Sequence, residues 1–146
     1  MTIEEYFGTL LQSVTEGHKK HLMTGKYSDH IALNEFYDEM PDLVDDLIEH
    51  YQGEKGKVEN YKNTIEAEGK DAIDYMEELL KFVKEGKKEL FDEDSALISD
   101  VDDIIGQIDS TLYKLKELGE SKNDSMISLR DYLKESLNVA SKIDEN

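Results

Sequence analysis

Four histidines, at positions 18, 21, 30 and 50, and a carboxylate row at Glu35, Asp38, Asp42, Asp45 and Glu49 are the residues whose types and spacing suit chemistry. Imidazole and carboxylate together form the ligand mix that suits iron, manganese or zinc. His18 and His21 fall on an otherwise apolar helical stripe, where a hydrophobic residue would serve stability better. Two readings follow. Either the two are helix-end histidines favoured by the negative C-terminal dipole, or they ligate a metal. At about 100° per residue the five carboxylates form one stripe roughly 100° wide. That stripe lies away from the apolar one of Leu33, Met40, Val44 and Leu47. Like charges three or four residues apart destabilise a helix by about 0.2–0.5 kcal/mol per pair. The row is therefore either a solvated face of an acidic protein or a face that a cation compensates.

These residues sit on helices. Ile3, Phe7, Leu10 and Val14, continued by His18 and His21, recur at steps of three or four and predict a helix over 2–24, stopped by Gly25. Leu33 through Tyr51 predicts a second over 29–52, with Ser28 or Asp29 as N-cap. Pro41 inside it predicts a kink near Met40 or a break, since an interior proline costs about 3 kcal/mol. Residues 52–71 read as the connection, with room for one short helix at the weak Val58, Tyr61, Ile65 spacing. A third helix is expected over 71–91 and a fourth over 95–119. The fourth carries the seam Leu97, Val101, Ile104, Ile108, Thr111, Leu115, Leu118, with a turn and N-cap at Asp92–Ser95 before it and Gly119 after it. Met126, Leu129, Leu133, Leu137, Ala140 and Ile143 predict a last, weaker helix over about 123–143. Two tight connections and one long one predict an all-α four-helix bundle with a crossover, over 2–119, plus an extra C-terminal helix, in one domain of residues 1–146.

The composition closes other classes. The chain has 146 residues, one domain by length, and no cysteine, which removes disulfides, thiol nucleophiles and Cys-ligated metals. Thirty-five acidic against 17 basic residues give −18, so no direct DNA binding is expected. No stretch approaches the ~20 apolar residues of a membrane span, and Met1–Glu5 reads as no secretory leader, so a cytoplasmic or particle-packaged protein is expected. Nucleotide-binding glycine motifs, HExxH and EF-hand loops are absent, and no histidine follows position 50 to build a Glu-x-x-His pair.

The stretches His21–Gly25, Leu33–Glu39 and Asp45–Glu49, with Phe91–Ser95 leading into Ile108–Leu115, resemble the mini-ferritins, the Dps branch of the ferritin-like superfamily. The resemblance covers residues 1–119 in short patches. It implies a ferritin-like bundle, a homo-oligomer from dimer up to dodecamer, and iron bound between two subunits by two histidines, an Asp and a Glu four residues on. Carried over, the acidic pair falls on Asp45 and Glu49. The first histidine falls on His21 by surrounding sequence and the second on Asn34; by intervals of twelve, fifteen and four the set is His18, His30, Asp45 and Glu49. The implied metal ligands are thus Asp45, Glu49 and His30, with His18 or His21. The implied activity is Fe(II) binding and oxidation by peroxide or dioxygen. Leu22 stands where the family has Trp after His, and no Lys-rich tail precedes the first helix.

Charge supports a different class as well. Net charge is −8 over 1–52, −3 over 53–92, −6 over 93–120 and −1 over 121–146, so it is concentrated on the first, second and fourth helices. An acidic helical module of the phage-inhibitor type, imitating nucleic-acid charge in a basic protein groove, needs such a face. A structural or particle component that keeps the bundle without a metal site is the third expectation.

Overall fold

The computed structural model describes residues 1–93, 95–118, 134 and 136–138, and among these every regular element is helical. Helix α1 spans Ile3–Met23, α2 Tyr27–Lys55, α3 Ala72–Leu90 and α4 Leu97–Tyr113, the last running into a π-helical turn at Lys114–Leu118. The expected last helix and the Gly119 stop lie outside the described residues, save that 134 and 136–138 are helical.

Local chemistry sets the ends. Thr2 and Glu5 form a reciprocal capping box that satisfies two orphan N–H groups of α1. Asp71 caps α3 by accepting from the Asp74 N–H at 2.8 Å, and the Ser95 hydroxyl accepts from the Leu97 N–H at 3.1 Å. Helix α2 corrects the expected start at Ser28 or Asp29. Its N-cap is Lys26, which offers no side-chain cap, and the Lys26 N–H is taken instead by the Thr24 hydroxyl at 3.2 Å. Nor does α2 break at Pro41. The helix runs through it, because Phe36, Met40, Val44 and Leu47 are buried on one face, and that burial outweighs one missing backbone donor.

Short connections make α1 with α2, and α3 with α4, two antiparallel hairpins. Packing runs α1 on α2, α2 on α4, α4 on α3 and α3 on α1, which puts α2 and α3 on opposite corners. Side-chain pairs fix the directions. The Tyr6 hydroxyl near the start of α1 donates to the Val83 carbonyl near the end of α3 at 3.0 Å. His50 late in α2 meets Asp100 early in α4, and Glu35 early in α2 pairs with Lys114 just after α4. The order is up, down, down, up, the expected bundle with one crossover.

The crossover, residues 56–71, contains no helix, which corrects the reading of the Val58, Tyr61, Ile65 spacing. It climbs the length of α1. The Lys62 N–H donates to the Glu4 carbonyl at 3.1 Å, the Thr64 N–H to the Thr9 hydroxyl at 3.0 Å, and the Lys20 ammonium to the carbonyls of Lys70 at 2.7 Å and Ala67 at 3.3 Å. Those contacts keep Val58, Ile65 and Ala67 buried against the bundle. Partial burial holds the Lys20 ammonium pKa below the usual lysine value. At the strap's lower end Gly8 has no room for a side chain, since a Cβ there would fall well inside 3.0 Å of the Lys62 backbone.

One tie between α2 and α4 is pH-sensitive. His50 Nδ1 lies 2.6 Å from Asp100 Oδ2. That hydrogen bond and the Asp100 charge, joined by Asp46 and Glu49, raise the imidazole pKa above 6.5. A base whose pKa is raised on folding contributes stability that is full below its unfolded pKa and is lost as pH rises through the folded one. The gap in melting temperature between the wild type and His50→Gln is therefore expected to be full below the unfolded imidazole pKa of about 6.5 and to close as pH rises through the raised folded one. A gap independent of pH would show that the pair carries no such linkage.

Candidate functional site

Three of the sequence-predicted ligands meet where α1 turns into α2. His21 is buried, 6% exposed. Its Nδ1 is 2.7 Å from the His30 carbonyl, and His30 Nδ1 is 3.0 Å from the His21 carbonyl. A carbonyl only accepts, so both Nδ1 atoms carry the proton and donate. The rings stack with centroids 3.6 Å apart and planes 23° from parallel. The clasp is reciprocal: the His30 ring satisfies the His21 carbonyl, an orphan of the last turn of α1, and the His21 ring gives the His30 carbonyl in the first turn of α2 a second donor. Tyr37 closes the far side. Its ring stacks on His18 at 4.3 Å, and its hydroxyl donates to Asn34 Oδ1 at 2.8 Å and sits 3.4 Å from His21 Nε2. Asn34 Nδ2 in turn donates to Asp38 Oδ2 at 3.0 Å.

Within a single chain this corner is not built as a metal site; the expected site lies between two subunits. In-plane lone pairs of two nearly parallel rings 3.6 Å apart do not converge on one ion at the ~2.0–2.1 Å that imidazole ligation needs. Asp45 and Glu49 are exposed on α2, and they lie about 22 and 28 Å along the helix axis from His30 at 1.5 Å per residue. Among the described residues, no three His, Asp or Glu side chains are grouped to hold a metal. Within one chain, then, His18, His21 and His30 come together while Asp45 and Glu49 stay apart from them.

The carboxylate row itself is the second feature. Glu35, Asp38, Glu39, Asp42, Asp45, Asp46 and Glu49 are all exposed, and no Lys or Arg occurs between Lys26 and Lys55. Among the described residues, Glu35 is the member of this row held by a lysine of the same chain, Lys114. The opposite corner of the bundle is different. Exposed Lys81, Lys84 and Lys88 follow one another on α3 without an ion pair among the described residues, and with Lys116 they flank a groove floored by Leu80 and Leu112. The π turn allows this, because it buries Leu115 while Lys114 reaches α2 and Lys116 reaches Glu77 of α3.

Sequence reasoning missed Tyr37 as the partner of His21 and Asn34 as the partner of Tyr37. The signal available was spacing: His30, Asn34 and Tyr37 follow one another at steps of four and three on one face of α2. The lysine ridge was legible as steps of three and four at positions 81, 84 and 88, masked by the acidic average.

A small acidic helical bundle with one crossover, its polar chemistry on its surface, is the class these features define. The chain belongs to a family of unknown function, DUF5856, whose model matches residues 21–115, from the histidine clasp to the π turn. It is also similar to an uncharacterized 14.6 kDa protein of the mobD-ri intergenic region of Enterobacteria phage T4. The two are 28% identical over 112 residues, 77% of this chain and 86% of the relative. No solved structure matches the chain. The family match overturns the resemblance to the mini-ferritins. Its patches were short, and the acidic ones among them, Leu33–Glu39 and Asp45–Glu49, follow a helical spacing that any acidic bundle repeats once its apolar seam is fixed.

Proposed function

We propose that the protein is an acidic binding module whose α2 face occupies a basic groove of a partner protein in place of nucleic acid. The observation that carries this is linear charge density. Seven exposed carboxylates between Glu35 and Glu49 cover about 21 Å of helix axis, about one per 3 Å, close to the one phosphate per 3.4 Å of a single B-DNA strand. The face is also rigid, since its helix is buried along the other side by Phe36, Met40, Val44 and Leu47, so charges are presented at little ordering cost.

The test is capture from a nuclease-treated lysate of the host cell, using the wild type and the variant Asp38→Asn, Asp42→Asn, Asp45→Asn, Glu49→Gln. The proposal expects a partner that duplex DNA displaces, that high salt releases, and whose affinity falls at least about a hundredfold in the variant. A partner held equally by both proteins, or one that DNA does not displace, overturns it.

A further inference from the structure

A different surface remains without a cover. At the α1–α2 corner Leu22 is 68% exposed, Met23 80%, Tyr27 48% and Ile31 48%. Four large apolar side chains within ten residues, on the outside of a connection of only three residues, exceed the scattered single hydrophobics that a folded surface normally carries. They flank the clasp: Leu22 follows His21, while Tyr27 and Ile31 bracket His30, whose ring lies 6.5 Å from that of Tyr27. The clasp fixes both helix ends, so the patch is formed in advance and contact with it orders little backbone.

We propose that this patch is the contact between two copies of the chain, a two-fold dimer in which each corner packs on the other. Charge selects the occupant. Each copy carries −18, and copies that met through α2 or α4 would bring carboxylate rows together. Over residues 16–35, Lys19, Lys20 and Lys26 balance Glu16, which pairs with Lys19 at 3.3 Å, Asp29 and Glu35. This stretch is neutral by count in a strongly negative chain, so here two copies approach without bringing carboxylate rows together. A two-fold contact is self-complementary, and an apolar patch beside its own axis meets that requirement with no second patch. The dimer leaves the carboxylates of α2 beyond Glu35 outward, one acidic face per copy, so it neither requires nor replaces the binding role proposed above.

Sedimentation equilibrium on the full chain at micromolar concentration tests this. The wild type is expected at twice 16.8 kDa, and the dimer is expected to tighten as salt rises, because salt screens repulsion between the two negative copies while the apolar contact persists. Leu22→Glu with Met23→Glu is expected to raise the dissociation constant at least about tenfold. Leu22→Lys with Met23→Lys is expected to do the same, which separates lost apolar contact from added charge. Unchanged circular dichroism in both variants shows that the fold survives. A wild-type monomer overturns the proposal and leaves the patch to a foreign partner. Dimer retained in both variants, or dimer dissolved by salt, places the interface elsewhere and overturns it equally. Loss of the α2 binding role would leave all these results unchanged.

Discussion

Gly8→Ala is expected to lower stability by about 3 kcal/mol, read as a fall in melting temperature of about 10 °C by calorimetry. By helix propensity alone the change would help, since alanine is favoured over glycine by about 1 kcal/mol inside a helix. Packing reverses the sign. The added methyl would sit well inside 3.0 Å of the nitrogen, carbonyl carbon and oxygen of Lys62. Backbone cannot rotate aside as a side chain can, so the strap must lift and lose the hydrogen bonds of Lys62 to Glu4 and of Thr64 to Thr9. Gly53→Ala in α2 is the matched control. Nothing lies within 4 Å of a Cβ there, and stability is expected to rise by up to about 1 kcal/mol. Equal effects at the two positions would mean that the crossover does not lie on α1 as described.

Neutralising the α2 face should do the opposite of harm to the fold. The face holds eight like-charge pairs at three- or four-residue spacing, and Asp38→Asn, Asp42→Asn, Asp45→Asn, Glu49→Gln removes seven of them while keeping Glu35 on Lys114. At about 0.2–0.5 kcal/mol per pair, a gain of about 1–3 kcal/mol in unfolding free energy is expected at low salt, shrinking as salt rises. Urea denaturation at two ionic strengths measures it. A protein that gains stability while losing its partner holds those carboxylates for binding, since selection for the fold alone would have spaced lysines among them. A loss of stability would show that the row is compensated within the fold.

Much of this was readable before any coordinates. The apolar seams of α1, α3 and α4 are strict, so their bounds fall within two residues of expectation except at the end of α4. There the π turn begins at Lys114, and a period of 3.6 gives no warning of one wider turn. The crossover misled for a physical reason. Val58 and Ile65 are apolar because the extended strap buries them against the bundle, while Tyr61 between them is exposed, and the three at loose spacing imitate one face of a short helix. The histidines were legible as unusual and not as what they are. A ring on an apolar stripe signals a partner, but only the fold shows that His21 takes the main chain of the next helix and is answered by His30, while His18 stacks on Tyr37. The resemblance placed ligands on Asp45 and Glu49; both are exposed on α2.

The diagonal placement of α2 and α3 has an electrical consequence. With unneutralised carboxylates along one corner of the bundle and Lys81, Lys84 and Lys88 along the opposite one, the molecule carries a transverse dipole moment on top of its net charge. In the field of a cationic groove such a body feels a torque as well as an attraction, and it rotates α2 toward the groove before any atoms touch. On the binding role proposed above, random collisions would thereby become aligned ones, and the lysine corner, which need never meet the partner, would help to aim the side that does.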